Sequence, residues 1–241
     1  MQSFIYKTTT TLLFLLIWQG NVLAGDFANR HIHGFSVDGQ LFAFEEYGVQ
    51  DGSGFPYSNI YVINTSTDKW VAGSPFRVRL DDEAKSVYEA REEARILAGP
   101  VMKSFEDRGN LVASNQPTEK GFDKKRMIAN PRIVVPPIDD DIEFRIKTLT
   151  FPPSPTCEPF GPSIGFELLR IATDEGRYTK TIHSDKSIPK SRNCPLDYEF
   201  ADLVTFFPSE GKPKAAILIL MKTVGFEGPD GRYLAITTEL E

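Results

Sequence analysis

The chain has 241 residues, a formal net charge of −6, 41% hydrophobic residues and two cysteines. A mildly acidic chain of this kind has no general attraction for nucleic acid or anionic lipid, so neither is expected as a partner. Its length is enough for one good-sized domain with a real core.

The chain opens with a single basic residue, Lys7, a threonine run and an apolar block from Leu12 to Trp18. Val22 and Ala24 then occupy the two positions that a signal peptidase reads, so residues 1–24 are expected to be a signal peptide cleaved after Ala24. The apolar block is shorter than the roughly 20 residues a spanning helix needs. The longest later apolar run, Ala215 to Met221, has strand length, so no membrane span is expected once the leader is removed. Residues 25–241 are expected to form a single mainly-β domain, exported to the periplasm or beyond.

Strand signals come first: Leu41 to Tyr47, Asn59 to Ile63, and Lys69 to Leu80 with a break at Gly73-Ser74-Pro75. Turn residues between these aromatic and β-branched runs predict an antiparallel meander. The period then changes. Across Asp82 to Ala98, Val87, Ala90, Ala94 and Leu97 recur at spacings of three and four, which predicts one amphipathic helix at about 82–98. Asp81 is its expected N-cap, and Gly99-Pro100 its stop or kink.

From about 106 to 141 periodicity fades, and the density of Pro, Gly and charge predicts a long connection. Strands return at Glu143 to Leu149, Ile164 to Ala172, Arg177 to His183, Leu203 to Phe207, Ala215 to Val224 and Arg232 to Thr238. The run AAILILM is apolar on both faces, which places it centrally in a sheet. The expected fold is mainly β and antiparallel, with sandwich-like or irregular propeller-like sheets and one long helix.

Cys157 and Cys194 both fall in the exported portion. An even pair in an oxidising compartment most simply forms a disulfide, contributing about 3 to 4 kcal/mol by the chain-entropy model. A reactive thiol or a thiolate metal ligand is the rarer alternative.

The phrase GFSVDGQLFAF, from Gly34 to Phe44, has a partial echo in GFEGPDGRYLAI, from Gly225 to Ile236. Each copy reads as a turn carrying Asp-Gly followed by a strand, so both ends are expected to contribute hairpins of one architecture, the second pairing near the first. The first copy, extended through SNIYVINTSTDKWV, resembles a blade of the TolB-like β-propellers. Phe35, Ser36, Asp38, Gly39, Ala43, Ile60, Tyr61, Val62 and Asn64 match, and Val37 replaces the usual proline. A regular propeller is not expected, because four to eight such blades would be needed.

At whole-chain level the leader, the block GFSVDG to IYVI, the helix ending AREEARILAGP and LVASNQPTE after it resemble a family of predicted secreted bacterial proteins, a domain of unknown function. That resemblance implies a Gram-negative periplasmic or secreted setting and transfers no catalytic residues.

No His-Glu-x-x-His or glycine-rich phosphate loop occurs. Asp139-Asp140-Asp141 lacks the glycine and distal glutamate of a calcium loop and reads as a solvated acidic turn. Glu45 and Glu46 are adjacent on a strand and so point to opposite faces, which keeps them from flanking one bond. His31 and His33 alternate and share a face, making them the candidate metal pair.

The remaining site candidate is the loop from Glu45 to Tyr57, with Tyr47, Asp51, Phe55 and Tyr57 as candidate ligand-binding residues on a rigid β scaffold, the alternative being that Phe55 and Tyr57 fold back to cap a core edge. The chain therefore reads as an exported binding or interaction module for an envelope protein or small ligand, with no cofactor and no catalytic residue assigned. The alternatives are an envelope hydrolase using acids from distant segments and a metal-dependent protein using His31 and His33.

Overall fold

The computed structural model describes residues 25–172 and 179–240. In chain order its elements are β1 (Asn29–Ser36), β2 (Leu41–Val49), β3 (Pro56–Asn64), β4 (Lys69–Trp70), β5 (Phe76–Arg79) and helix α1 (Val87–Met102). They continue with β6 (Phe105–Arg108), β7 (Asn110–Ser114), β8 (Arg126–Ala129), β9 (Ile142–Phe151), β10 (Ser163–Ile171) and β11 (Lys180–Ser184). The last three are β12 (Pro195–Phe206), β13 (Lys214–Val224) and β14 (Pro229–Glu239).

A strand that is apolar on both faces has to be covered on both, and this requirement organises the molecule. β13 lies between β12 and β14 in a central sheet of order β14-β13-β12-β7. Its Ala215, Ile217, Ile219 and Met221 pack with Phe144, Phe166 and Leu168 of an outer sheet of order β11-β10-β9-β8. The alternate residues Ala216, Leu218 and Leu220 pack with Phe35, Phe42, Phe44 and Tyr61 of the N-terminal sheet, β4-β3-β2-β1-β6 with β5 beside β3. The far face of that sheet, through Ala43, Ile60 and Val62, meets Ala90, Ala94 and Ala98 of α1. The order of layers is helix, sheet, sheet, sheet, and each fully buried large side chain contributes about 1.5 to 3 kcal/mol.

All strand pairs joining consecutive named elements are antiparallel, as expected, but the sheets are open and stacked. The resemblance to a propeller blade is therefore not carried into the architecture. The Gly225 phrase also behaves differently from its N-terminal counterpart. Gly39 sits in a turn with φ +68°, whereas Asp230 and Gly231 lie inside β14, opposite Thr223 and Lys222. Gly231 is needed for close approach: a Cβ there would lie 2.3 Å from the Phe27 ring. The two chain ends do meet at this point, through Ala28 N–H to Gly231 O and Gly231 N–H to Asp26 O.

The helix starts later and ends later than its sequence pattern predicts. Ser86, not Asp81, is the N-cap, in a capping box with Glu89, while Asp81 pairs with Arg79. The helix runs through Pro100 because Val101 and Met102 beyond it pack on the helix–sheet core, offsetting one lost backbone hydrogen bond. Leu97 is half exposed to water, and Ala98 takes its expected place in the buried stripe. Alanines at 90, 94 and 98 let the helix lie close on the sheet.

The connection expected at 106–141 contains most of three short strands: β6 extends the N-terminal sheet, β7 the central sheet and β8 the outer sheet. Four or five residues at a sheet edge leave no period to read, since their partners lie far away in the chain. Cys157 and Cys194 are joined with Cα atoms 5.5 Å apart, tying the β9–β10 connection to the start of β12. The leader and residues 177 and 178 of the expected Arg177 strand lie outside the described residues.

Candidate functional site

Glu45 and Glu46 do point to opposite faces, and each is buried in its own network. On the helix side, Arg91 of α1 holds the Glu45 carboxylate with two bonds of 2.8 and 2.9 Å, and Ser58 Oγ donates at 2.9 Å. Burial alone would raise the Glu45 pKa, but His33, Arg91 and Ser58 outweigh it and hold the carboxyl at about 2. The Arg91 guanidinium also stacks 3.8 Å from the centre of the Tyr47 ring. On the other side, Glu46 accepts from the Tyr61 hydroxyl at 2.8 Å, Asn59 Nδ2 at 3.1 Å and the Tyr233 amide at 3.0 Å.

Other buried acids are held in the same way. Asp202 is clasped by Arg30 through both guanidinium arms, and Ser114 Oγ donates to it at 2.7 Å. Asp185 accepts from the Phe166 amide, Arg192 and His183; burial opposes its ionisation, but these bonds hold its pKa below the usual carboxylate range. Asp68 differs, since burial pushes it up, yet its Oδ1 accepts from both the amide and hydroxyl of Thr237 and so bridges two sheets. A general acid needs a raised carboxyl within reach of substrate, whereas Glu45 and Asp185 are shifted the other way.

The structure brings His31 and His33 together, edge to face with ring centres 4.8 Å apart. His33 Nε2 is buried 3.5 Å from Glu45 Oε2, outside hydrogen-bonding geometry. Burial, followed by the neighbouring His33, lowers the His31 pKa, which disfavours two positive imidazoles side by side. A metal would have to compete with Arg91 for Glu45. Among the described residues no three His, Cys, Asp or Glu side chains are grouped to hold an ion.

The four loop candidates lie in four different environments. Tyr47 faces the helix beneath Arg91. Asp51 is exposed at the tip and lines an open pocket of about 570 Å³ with Asp26, Gly54 and Glu83. Phe55 is half-buried, 5.9 Å from the Arg79 guanidinium. Tyr57 is not a loop residue at all: it is buried in β3, facing the central sheet, because the strand begins at Pro56 and alternation then turns its ring inward.

Tyr57 nevertheless contributes to a second pocket, of about 460 Å³, on the other side of the hairpin end. Gln50 belongs to both pockets, while Asn59, Arg77, Arg79, Asp81 and Arg232 complete the second. Sequence reading missed the arginines. The pattern Arg77-Val-Arg79 on β5 was a visible signal for two guanidiniums on one face, but Arg232 joins them only through the stacking of two sheets. A third open groove, of about 790 Å³, lies between β1 and β7 over the Arg30–Asp202 pair.

The fold and these features define a three-sheet antiparallel β protein with a helix on one outer face and open pockets flanking its β2–β3 hairpin end. The chain belongs to the family described as "Predicted secreted protein (DUF2259)", whose model matches residues 43–239. No curated protein and no solved structure matches the chain significantly. Among the described residues no helix is long and apolar enough to cross a membrane.

Proposed function

We propose that the protein works in the periplasm or beyond, after removal of residues 1–24, as a binding or interaction module that carries out no chemistry of its own. Its ligand or protein partner seats at the β2–β3 hairpin end, where Asp51 and Phe55 reach the surface. The observation that supports this reading is a contrast in the placement of polar groups. Glu45, Glu46, Asp185 and Asp202 are each bound up in structural hydrogen bonds, while pockets stand open on both sides of the hairpin. Rigid strands presenting a short polar and aromatic loop are suited to recognition.

The test is native mass spectrometry of the mature protein isolated from its own source, beside a variant carrying Asp51→Asn and Phe55→Ala. The wild type is expected to carry a ligand or second chain that the variant loses while staying folded. Equal retention by the variant, or a bare protein in both preparations, would contradict the proposal.

A further inference from the structure

We infer that the pocket on the β5 side of the hairpin is an oxyanion site, taking a phosphate or carboxylate group of a small ligand. This rests on the reading of the hairpin end as the binding region and names the chemistry that region recognises.

Arg77 and Arg79 alternate along β5, so they share one face, and they lie directly opposite Asn59 and Tyr57 of β3. That face of β3 looks toward the central sheet, whose strand β14 brings in Arg232. Three guanidiniums therefore line one pocket from two different sheets. Charged side chains on an edge strand also discourage edge-to-edge association. That role needs only exposure and does not account for convergence with an arginine of another sheet.

Two of the three guanidiniums are already paired. Arg232 is fixed by Asp26, donating to its carboxylate at 2.6 Å and to its backbone carbonyl at 2.6 Å. Arg79 is held by Asp81 at 2.7 Å, in an exposed pair that water weakens. Glu46 lies buried beneath, occupied by Tyr61, Asn59 and the Tyr233 amide. Arg77 is exposed, lies within reach of the Tyr61 hydroxyl, and has no carboxylate at ion-pair distance among the described residues. Tyr57, 5% exposed, has a buried hydroxyl with no hydrogen-bond partner there either.

An exposed guanidinium without a carboxylate partner, beside two positioned ones, matches the paired oxygens of phosphate or carboxylate, and Arg is suited to such bidentate contacts. Tyr57 forms part of the wall of the same pocket. The pocket's volume, about 460 Å³, is that of a small-ligand site.

Isothermal titration of the mature protein at low salt, with inorganic phosphate and with citrate as separate probes, tests the inference. At least one probe is expected to bind with a dissociation constant of about 1 mM or tighter. Arg77→Ala should weaken that binding about 10-fold, the scale of one charge-assisted bond, and Arg77→Lys should restore it only in part. Lys190→Ala, which removes an exposed charge elsewhere, should leave it unchanged.

A preference for phosphate or for citrate identifies which oxyanion the pocket was built for. Absence of binding by both probes, or binding that Arg77→Ala and Lys190→Ala reduce equally, would overturn the inference. If both probes fail while the Asp51 and Phe55 variant still sheds its co-isolated ligand, the oxyanion inference falls and the proposed binding role stands.

Discussion

The two faces of the central sheet are built differently. Toward the outer sheet, the core is a run of aliphatic and aromatic side chains, with Phe144, Phe166 and Leu168 fully buried, and the polar groups at its edge, Asp185, Arg192 and the Tyr198 hydroxyl, bond to one another. Toward the N-terminal sheet, the middle of the interface is equally apolar, but its hairpin end holds Glu46, Tyr57 and Arg232. Burying polar groups costs free energy unless each finds a partner. The difference is that the outer-sheet side satisfies its polar groups among themselves, while the hairpin end keeps a buried Tyr57 hydroxyl without a partner among the described residues, beside open pockets.

Mutations can break or sharpen this contrast. The largest effect is expected on the outer-sheet side, where Phe166→Ala should cost about 3 to 5 kcal/mol in urea unfolding through lost burial and a cavity. Removing the bridge between that sheet and β12 by Cys157→Ser with Cys194→Ser should cost about 2 to 4 kcal/mol. Reduced and oxidised wild-type protein compared in the same denaturant series provide the check.

On the helix side, Arg91→Ala leaves the Glu45 carboxylate buried without its main partner and should cost about 1 to 3 kcal/mol at neutral pH. The sign of its pH dependence follows from Glu45, whose pKa is depressed from 4.5 to about 2 in the folded protein. Stabilisation from such a group is complete above the unfolded value and is lost as pH falls toward the folded one. The gap in Tm between wild type and Arg91→Ala should therefore close as pH drops from about 5 toward 2. A gap that stayed constant would detach Glu45 from the helix contact.

The smallest stability effect belongs to the open end, where Arg77→Ala should change unfolding free energy by no more than about 0.5 kcal/mol. A large loss would make Arg77 a structural residue and erase the contrast.

Much of this architecture was legible because period and burial agree. The run AAILILM, apolar on both faces, placed β13 at the centre, and the Ala90–Ala94 spacing placed the helix on a sheet. Where the reading failed, distant partners decided the outcome. Asp230-Gly231 has the composition of a turn, yet β13 and the Phe27 ring draw it into a strand. The strap after α1 gains its strands from three separate sheets. Tyr57 looked like a loop aromatic because a loop was expected to extend to it, and one strand turn earlier its side chain is committed inward. Arg77, Arg79 and Arg232 could not be grouped before the sheets were stacked.

The most direct test of the contrast between the two faces is hydrogen exchange on the protein isolated from its own source, before and after exhaustive dialysis to remove any small molecule carried with it. The account predicts that protection lost on dialysis is confined to residues 49–59 and 76–81 and to the start of β14. Loss centred on the β1–β7 groove, or no change anywhere, would contradict it.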